Sequence, residues 1–284
     1  LGLAALLALA GLHEVLRPAA GPPILLKATV IQGGLPNWVY RQSSVDQRAK
    51  QAIDQAYLAV GAAQPSGRLL IFPETAVRET FGQGPMSSAY RTMHAKGQSI
   101  VAGVNRHWQG ALRNTAMVWP RQAAEPQFQS KRTLVPIVER EFESLDDPSL
   151  ILPGQGRVQL CIESVYPRFS RGLDGRWLLV LTNDAGVGRS APRRAFERES
   201  RLRAIEMGRS LIRAGQDGRT YAVSWRGEIL AELPEYRPGV LHVETLPGPS
   251  DTLRNWAGDW LFWLCWPLAL IGFRRRTNVG AAAG

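Results

Sequence analysis

Short apolar runs alternate with segments of helical spacing along most of this chain, and that alternation constrains its fold more than any other feature. Ile24 to Gln32 is apolar and β-branched and predicts a strand. Ser44 to Val60 has helical spacing, with Ser43 or Ser44 as its N-cap. Arg68 to Phe72 predicts a short buried strand stopped by Pro73, Ser87 to Lys96 a helix, and Ser99 to Val104 a strand. Thr115 to Trp119 and Phe128 to Lys131 read as paired strands about a turn, followed by a long loop over residues 140–156. Val158 to Ile162 and Trp177 to Thr182 predict further strands, Ala191 to Met207 a charged helix, and Ser210 to Val243 three or four strands. Strands alternating with helices predict an α/β layered fold with buried central sheets.

The two ends depart from this pattern. The chain opens on the apolar run Leu1 to Leu12 with no basic residue ahead of it, unlike a signal peptide. Residues 1–18 therefore read as the end of an N-terminal transmembrane helix. Trp256 to Phe273 is about the minimum apolar length that crosses a bilayer, with one acid, Asp259, and tryptophans at 256, 260, 263 and 266. Arg274, Arg275 and Arg276 follow at once, as expected of a cytoplasmic end. The competing reading is a buried amphipathic helix. The expected organisation is a domain over residues 19–252, a C-terminal transmembrane helix with a basic end over 253–276, and a tail over 277–284. With that span in place, residues from about 20 to 250 face the extracytoplasmic side.

The formal charge of +10 in 284 residues first points to an acidic partner, nucleic acid or an anionic membrane surface. Most of the excess is arginine, clustered in Arg189 to Arg213 and Arg274 to Arg276. No zinc-finger spacing, RNA-binding signature or aromatic-basic ladder accompanies it, which argues against nucleic acid. His13, His94, His107 and His242 are scattered without metal-ligand spacing, and Gly154-Gln155-Gly156 lacks a phosphate-loop pattern, so no cofactor is expected. Cys161 ends a strand-like run, whereas Cys265 lies in the most hydrophobic segment, contexts that argue against a disulfide between them.

Three segments share one design, an apolar strand that ends in a reactive side chain. Leu69 to Glu74 delivers a carboxylate, Phe128 to Lys131 an amine, and Val158 to Cys161 a thiol. Taken singly, each has a plainer reading: a structural cysteine, a solvated lysine, a helix-start acid. Taken together they make chemical sense. A carboxylate can deprotonate a thiol for attack on a carbonyl, and an ammonium can stabilise both the thiolate and the resulting oxyanion. Side chains at neighbouring strand ends of a rigid sheet can converge on one cleft.

These segments resemble the nitrilase (carbon–nitrogen hydrolase) superfamily, and within it the apolipoprotein N-acyltransferase branch. The resemblance runs through Phe72-Pro73-Glu74-Thr75-Ala76, Lys131 to Glu139, Cys161-Ile162-Glu163, Leu181 to Ala185, Leu202 to Arg209 and Gly258-Asp259-Trp260. It implies a nitrilase-like αββα sandwich domain flanked by membrane helices in the bacterial inner membrane, with the catalytic domain on the periplasmic side. Carried over by position, it makes Glu74 the general base, Lys131 the oxyanion and thiolate stabiliser and Cys161 the nucleophile. Glu139 and Glu163 become supporting carboxylates that hold Lys131 and shape the pocket. The implied partners are a phospholipid acyl donor and the N-terminus of a lipoprotein as acceptor. Two departures stand out: Gly186-Val187 replaces an aromatic pair, and Val-Pro-Ile-Val-Glu139 replaces Val-Pro-Phe-Gly-Glu. They leave open a nitrilase-like amidase, a specialised paralogue in conjugal transfer, and a non-enzymatic scaffold.

Overall fold

A computed structural model describes residues 25–35, 38–39, 46–170, 175–248, 252 and 254–255. Pro22–Ser250 forms one compact unit. The expected membrane segments fall outside the described residues, apart from Arg254 and Asn255, as do Ser43, Ser44 and Cys265. Among the described residues no helix is long and apolar enough to cross a membrane.

The chain builds β1 (Leu26–Gln32), α1 (Gln47–Ala62), β2 (Leu69–Phe72), α2 (Pro85–Ala95), β3 (Ser99–Trp108), β4 (Ala111–Trp119) and β5 (Gln127–Ser130). It continues with β6 (Ile151–Leu152), β7 (Gly156–Leu160), β8 (Trp177–Thr182), α3 (Ala191–Met207), β9 (Ser210–Gly215), β10 (Thr220–Val223), β11 (Ile229–Leu233) and β12 (Gly239–Thr245). These strands form two six-stranded sheets, ordered β12-β1-β2-β3-β4-β5 and β11-β10-β9-β8-β7-β6. In the first, β1, β2 and β3 are parallel, while β4, β5 and β12 are antiparallel to their neighbours. In the second, β7, β8 and β9 are parallel, and β6, β10 and β11 are antiparallel to theirs.

Period-2 alternation explains the layering. Leu69 and Ile71 of β2 point into a core shared with Leu179 and Leu181 of β8, so the two sheets pack face to face. Leu70 and Phe72 point the other way, against Ile53, Tyr57, Leu58, Tyr90 and Met93 of α1 and α2. Leu178 and Val180 likewise face Ala204 and Met207 of α3. The result is an αββα sandwich, in which the fully apolar strands are those covered on both faces. Burying each such Leu, Ile or Val stabilises the fold by roughly 1.5–3 kcal/mol.

Several expectations need correction. The N-cap of α1 is Asp46, whose side chain accepts from Arg48 N at 2.8 Å and Ala49 N at 3.3 Å. Residues 140–156 are not all loop, because Ile151 and Leu152 pair with Arg157 and Gly156. Strand β7 stops at Leu160 rather than Ile162. Cys161 adopts φ +47°, which ends the extended chain and starts a single 3-10 turn over Cys161–Val165.

Candidate active site

Glu74 follows β2, Lys131 follows β5, and Cys161 follows β7. Two antiparallel steps, β3 to β4 and β4 to β5, leave β5 running in the same direction as β2. Glu74 and Lys131 therefore emerge at the same edge of the first sheet. Cys161 comes from the second sheet, so the set straddles the sandwich rather than lining neighbouring strands of one sheet. Lys131 is seated by its own backbone, its N–H donating to Asn114 O at 2.8 Å.

The lysine ammonium is shared between two carboxylates: Nζ lies 2.8 Å from Glu74 Oε1 and 2.8 Å from Glu139 Oε1. Asn114, on β4, donates Nδ2 to those same two oxygens, at 2.8 Å each. Asn183 N donates to Glu74 Oε2 and Val135 N to Glu139 Oε2, at 2.8 and 2.7 Å. Each carboxylate is thus fixed through both oxygens. Gly103 permits the approach of the Glu74 backbone, because a Cβ there would fall 2.4 Å from Glu74 Cα.

Burial dominates the electrostatics. It pushes the Glu74 carboxyl above its ordinary range against the pull of Lys131, and neighbouring Glu139 adds to the rise. Burial alone would lower the Lys131 ammonium, but Glu74, Cys161 and Glu139 outweigh it and keep the lysine charged. Burial pushes the Cys161 thiol up to about 12, with Glu74 adding and Lys131 opposing. At neutral pH this favours the thiol over the thiolate.

Glu163 plays a different part from the one expected. It does not touch the lysine amine. Its Oε1 accepts from Arg132 N at 2.7 Å and its Oε2 from Leu160 N at 3.0 Å, with Arg132 Nε 3.5 Å from Oε1. A fully buried carboxylate therefore ties the backbone beside Lys131 to the backbone beside Cys161. Asn114 and Asn183 carry no signal of their own in the sequence. Only the Thr-Asn-Asp run at the end of β8 marks the second.

Glu74, Asn114, Lys131, Glu139, Cys161 and Asn183 line one cavity of about 470 Å3. Its walls include Val135, Phe142, Val187 and Phe196, and Ile137 and Val138 stand exposed beside it. Ile137 holds φ +74°, a strained setting for a β-branched residue. Among the described residues no group of three or more His, Cys, Asp or Glu is placed to hold a metal ion.

Fold and site together define a sandwich protein that holds a buried thiol against an acid–lysine cluster. The carbon–nitrogen hydrolase profile matches residues 27–247, and the chain belongs to that family. An apolipoprotein N-acyltransferase of Shewanella oneidensis is 26% identical over 88% of this chain and 55% of its own length. One of Pseudomonas aeruginosa is 26% identical over 88% and 52%. One of Vibrio vulnificus is 36% identical over 42% of this chain and 25% of its own length. The chain thus spans about half the length, at most, of these relatives. A CN-hydrolase superfamily protein of Xanthomonas campestris shares the fold, with a TM-score of 0.62 at 20% identity over 78% of this chain and 90% of that one. An amidase from Nesterenkonia sp. has a TM-score of 0.59 at 20% identity, over 83% and 96%. A mutant of the amidase from Nesterenkonia sp. AN1 shows the result of Michael addition of acrylamide at its active site cysteine (TM-score 0.54, 20% identity, 78% and 93%).

Proposed function

We propose that this protein is a membrane-bound N-acyltransferase. It moves a fatty acyl chain from phospholipid through a Cys161 thioester to the α-amino group of a lipoprotein N-terminal cysteine. The observation that carries the reading is the likeness to apolipoprotein N-acyltransferases over 88% of the chain. The exposed Ile137 and Val138 beside the cavity give it an apolar lip suited to a lipid chain. On this reading residues 1–18 and 253–276 anchor the domain over 19–252 to the inner membrane, residues 277–284 trail on the cytoplasmic side, and the cavity works on the periplasmic side.

The chemistry follows from the charges. Cys161 gives its proton to Glu74 as the sulfur attacks the ester carbonyl of the donor. The Lys131 ammonium takes up the negative charge on the carbonyl oxygen. The intermediate collapses, the glycerol oxygen leaves with the proton from Glu74, and a thioester and a lysophospholipid remain. The acceptor amine then attacks the thioester and gives a proton to Glu74. The sulfur leaves and recovers that proton, which restores the resting thiol and yields an amide. Glu139 keeps Lys131 charged and in place, and Glu163 holds the backbones of both reactive residues.

The second reading is a nitrilase-like amidase, favoured by the shared fold with the Nesterenkonia amidase. There the same thioester is resolved by water. Intact-mass spectrometry after incubation with phospholipid separates the two. An added acyl mass, stable in water and discharged by a diacylated N-terminal cysteine peptide, supports the transferase. Discharge by water alone supports the amidase. Absence of any adduct on wild-type protein, or its presence on Cys161→Ala, sinks the thioester route.

A further inference from the structure

Beside Cys161 lies a second polar group with no part in the steps above. Thr182 ends β8, which pairs with β7 through Leu160↔Leu181, so its side chain comes level with the nucleophile. Thr182 Oγ1 is 3.5 Å from Cys161 Sγ and 2.8 Å from Asp184 Oδ1. Asp184 is in turn clamped by Arg213 of β9, whose Nη2 lies 2.7 Å from Oδ2 and 3.0 Å from Oδ1. All three residues are buried. Gly218 makes room for the carboxylate, because a Cβ there would fall 2.1 Å from Asp184 Oδ2.

A hydroxyl carries one proton and can donate it once. Facing a neutral thiol on one side and an ionised carboxylate on the other, it donates to the carboxylate, at the shorter distance. Once the sulfur carries charge, the contest changes: the sulfur becomes an anion that a hydroxyl can stabilise, while Asp184 still has Arg213. We propose that the Thr182 hydroxyl is a catalytic hydrogen-bond donor to the Cys161 sulfur, turning to it from Asp184 as the charge develops. Asp184 and Arg213 are positioning residues that set which way the hydroxyl points. The charged groups around the sulfur then come from four elements: Glu74 after β2, Lys131 after β5, Asp184 after β8 and Arg213 within β9.

The inference rests on Cys161 being the nucleophile of the proposed function, but its test needs no acyl donor. The rate of alkylation by chloroacetamide is followed from pH 6 to 10 on the full chain carrying Cys265→Ser, so that only Cys161 reacts. Thr182→Val removes the donor and keeps the shape. It is expected to slow alkylation roughly tenfold at pH 8, in line with the loss of one hydrogen bond to a charged group, and Thr182→Ser restores most of the rate. Asp184→Asn replaces the charged acceptor with a weaker neutral one and removes a nearby anion, and is expected to speed alkylation and move its profile to lower pH. Loss of the Asp184 charge alone would also speed alkylation, so the donor is diagnosed by the slowing in Thr182→Val and its rescue in Thr182→Ser, which a merely structural threonine would not give. An unchanged profile in Thr182→Val, or slower alkylation in an Asp184→Asn protein that melts like the parent, overturns the proposal. Either result leaves the acyl adduct as a separate question.

Discussion

Lys131 Nζ and Glu74 Oε1 stand 2.8 Å apart with both side chains almost wholly buried, 1% and 3% exposed. An ion pair so placed is costly to break from one side. Lys131→Met would leave Glu74 facing Glu139 with no cation between them. The expected cost is about 3–5 kcal/mol of stability, with kcat falling on the order of 10^2–10^3-fold. Without the lysine the buried Glu74 carboxyl binds its proton more tightly in the folded state than in the unfolded chain. The stability deficit should therefore shrink as pH falls through the carboxylate range. Denaturant melts of parent and variant at pH 5 and pH 8 check this, and an equal deficit at both would refute it.

Glu163 sits outside the reacting set and yet holds both of its halves. Glu163→Ala strands the N–H groups of Leu160 and Arg132 in a buried setting, at about 2–6 kcal/mol for the two. Turnover should drop without vanishing, because Cys161, Lys131 and Glu74 all remain. Glu163→Gln keeps one acceptor oxygen and should fall between parent and alanine variant in both melting and rate. A Glu163→Ala protein with parental kinetics would remove the residue from the site.

Asp217 is buried, and its carboxylate has only weak support from the N–H groups of its own residue and of Gly218. Burial raises its pKa from the ordinary 3.8 to about 7, and the Asp184 charge contributes. The folded state thus holds a proton that the unfolded chain releases near pH 4. This group makes stability fall between about pH 4 and pH 7, and the loss is complete above that. Asp217→Asn stays neutral throughout and should be more stable than the parent at pH 8 by on the order of 2 kcal/mol. Below pH 4 the difference should close. A variant no more stable than the parent at pH 8 contradicts the assignment.

Gly103→Ala introduces a Cβ 2.4 Å from Glu74 Cα and 2.7 Å from Pro73 O, both backbone atoms that cannot rotate away. The β2–β3 pairing must part, and Glu74 must move with it. Overpacking of this kind costs about 1–3 kcal/mol. An ångström of displacement at a reacting group is worth roughly 10^2-fold in rate. Kinetics and a melt on one preparation test both expectations. A variant with full activity would show that Glu74 tolerates the shift.

Apolar runs with sharp boundaries were legible in the sequence. Trp177–Thr182 and Ala191–Met207 have the bounds expected, the first because every residue is buried and the second because Ser190 caps it and Pro192 suits its first turn. The strand ahead of Glu74 was legible for the same reason, with Pro73 closing it. What eluded the sequence is three-dimensional. Periodicity does not register that Cys161 turns to φ +47°, since nothing in Gln-Leu-Cys-Ile marks a left-handed residue. Nor does it assign strands to sheets, so the partition of the reactive residues between two layers emerged only from the pairing. Asn114 looked like one more polar residue between Arg113 and Thr115. Its importance comes from standing between two carboxylates distant in sequence.

The placement of Cys161 on one sheet and of Glu74 and Lys131 on the other makes the chemistry a gauge of assembly. Residues up to Lys131 build most of the first layer, those from Ile151 the second, and β12 crosses back to pair with β1. Neither layer alone holds both Cys161 and the Glu74–Lys131 pair that the proposed mechanism needs. If the chain were severed within the 140–150 segment, each fragment should be unable to turn over substrate, and turnover should return only as fast as the layers dock.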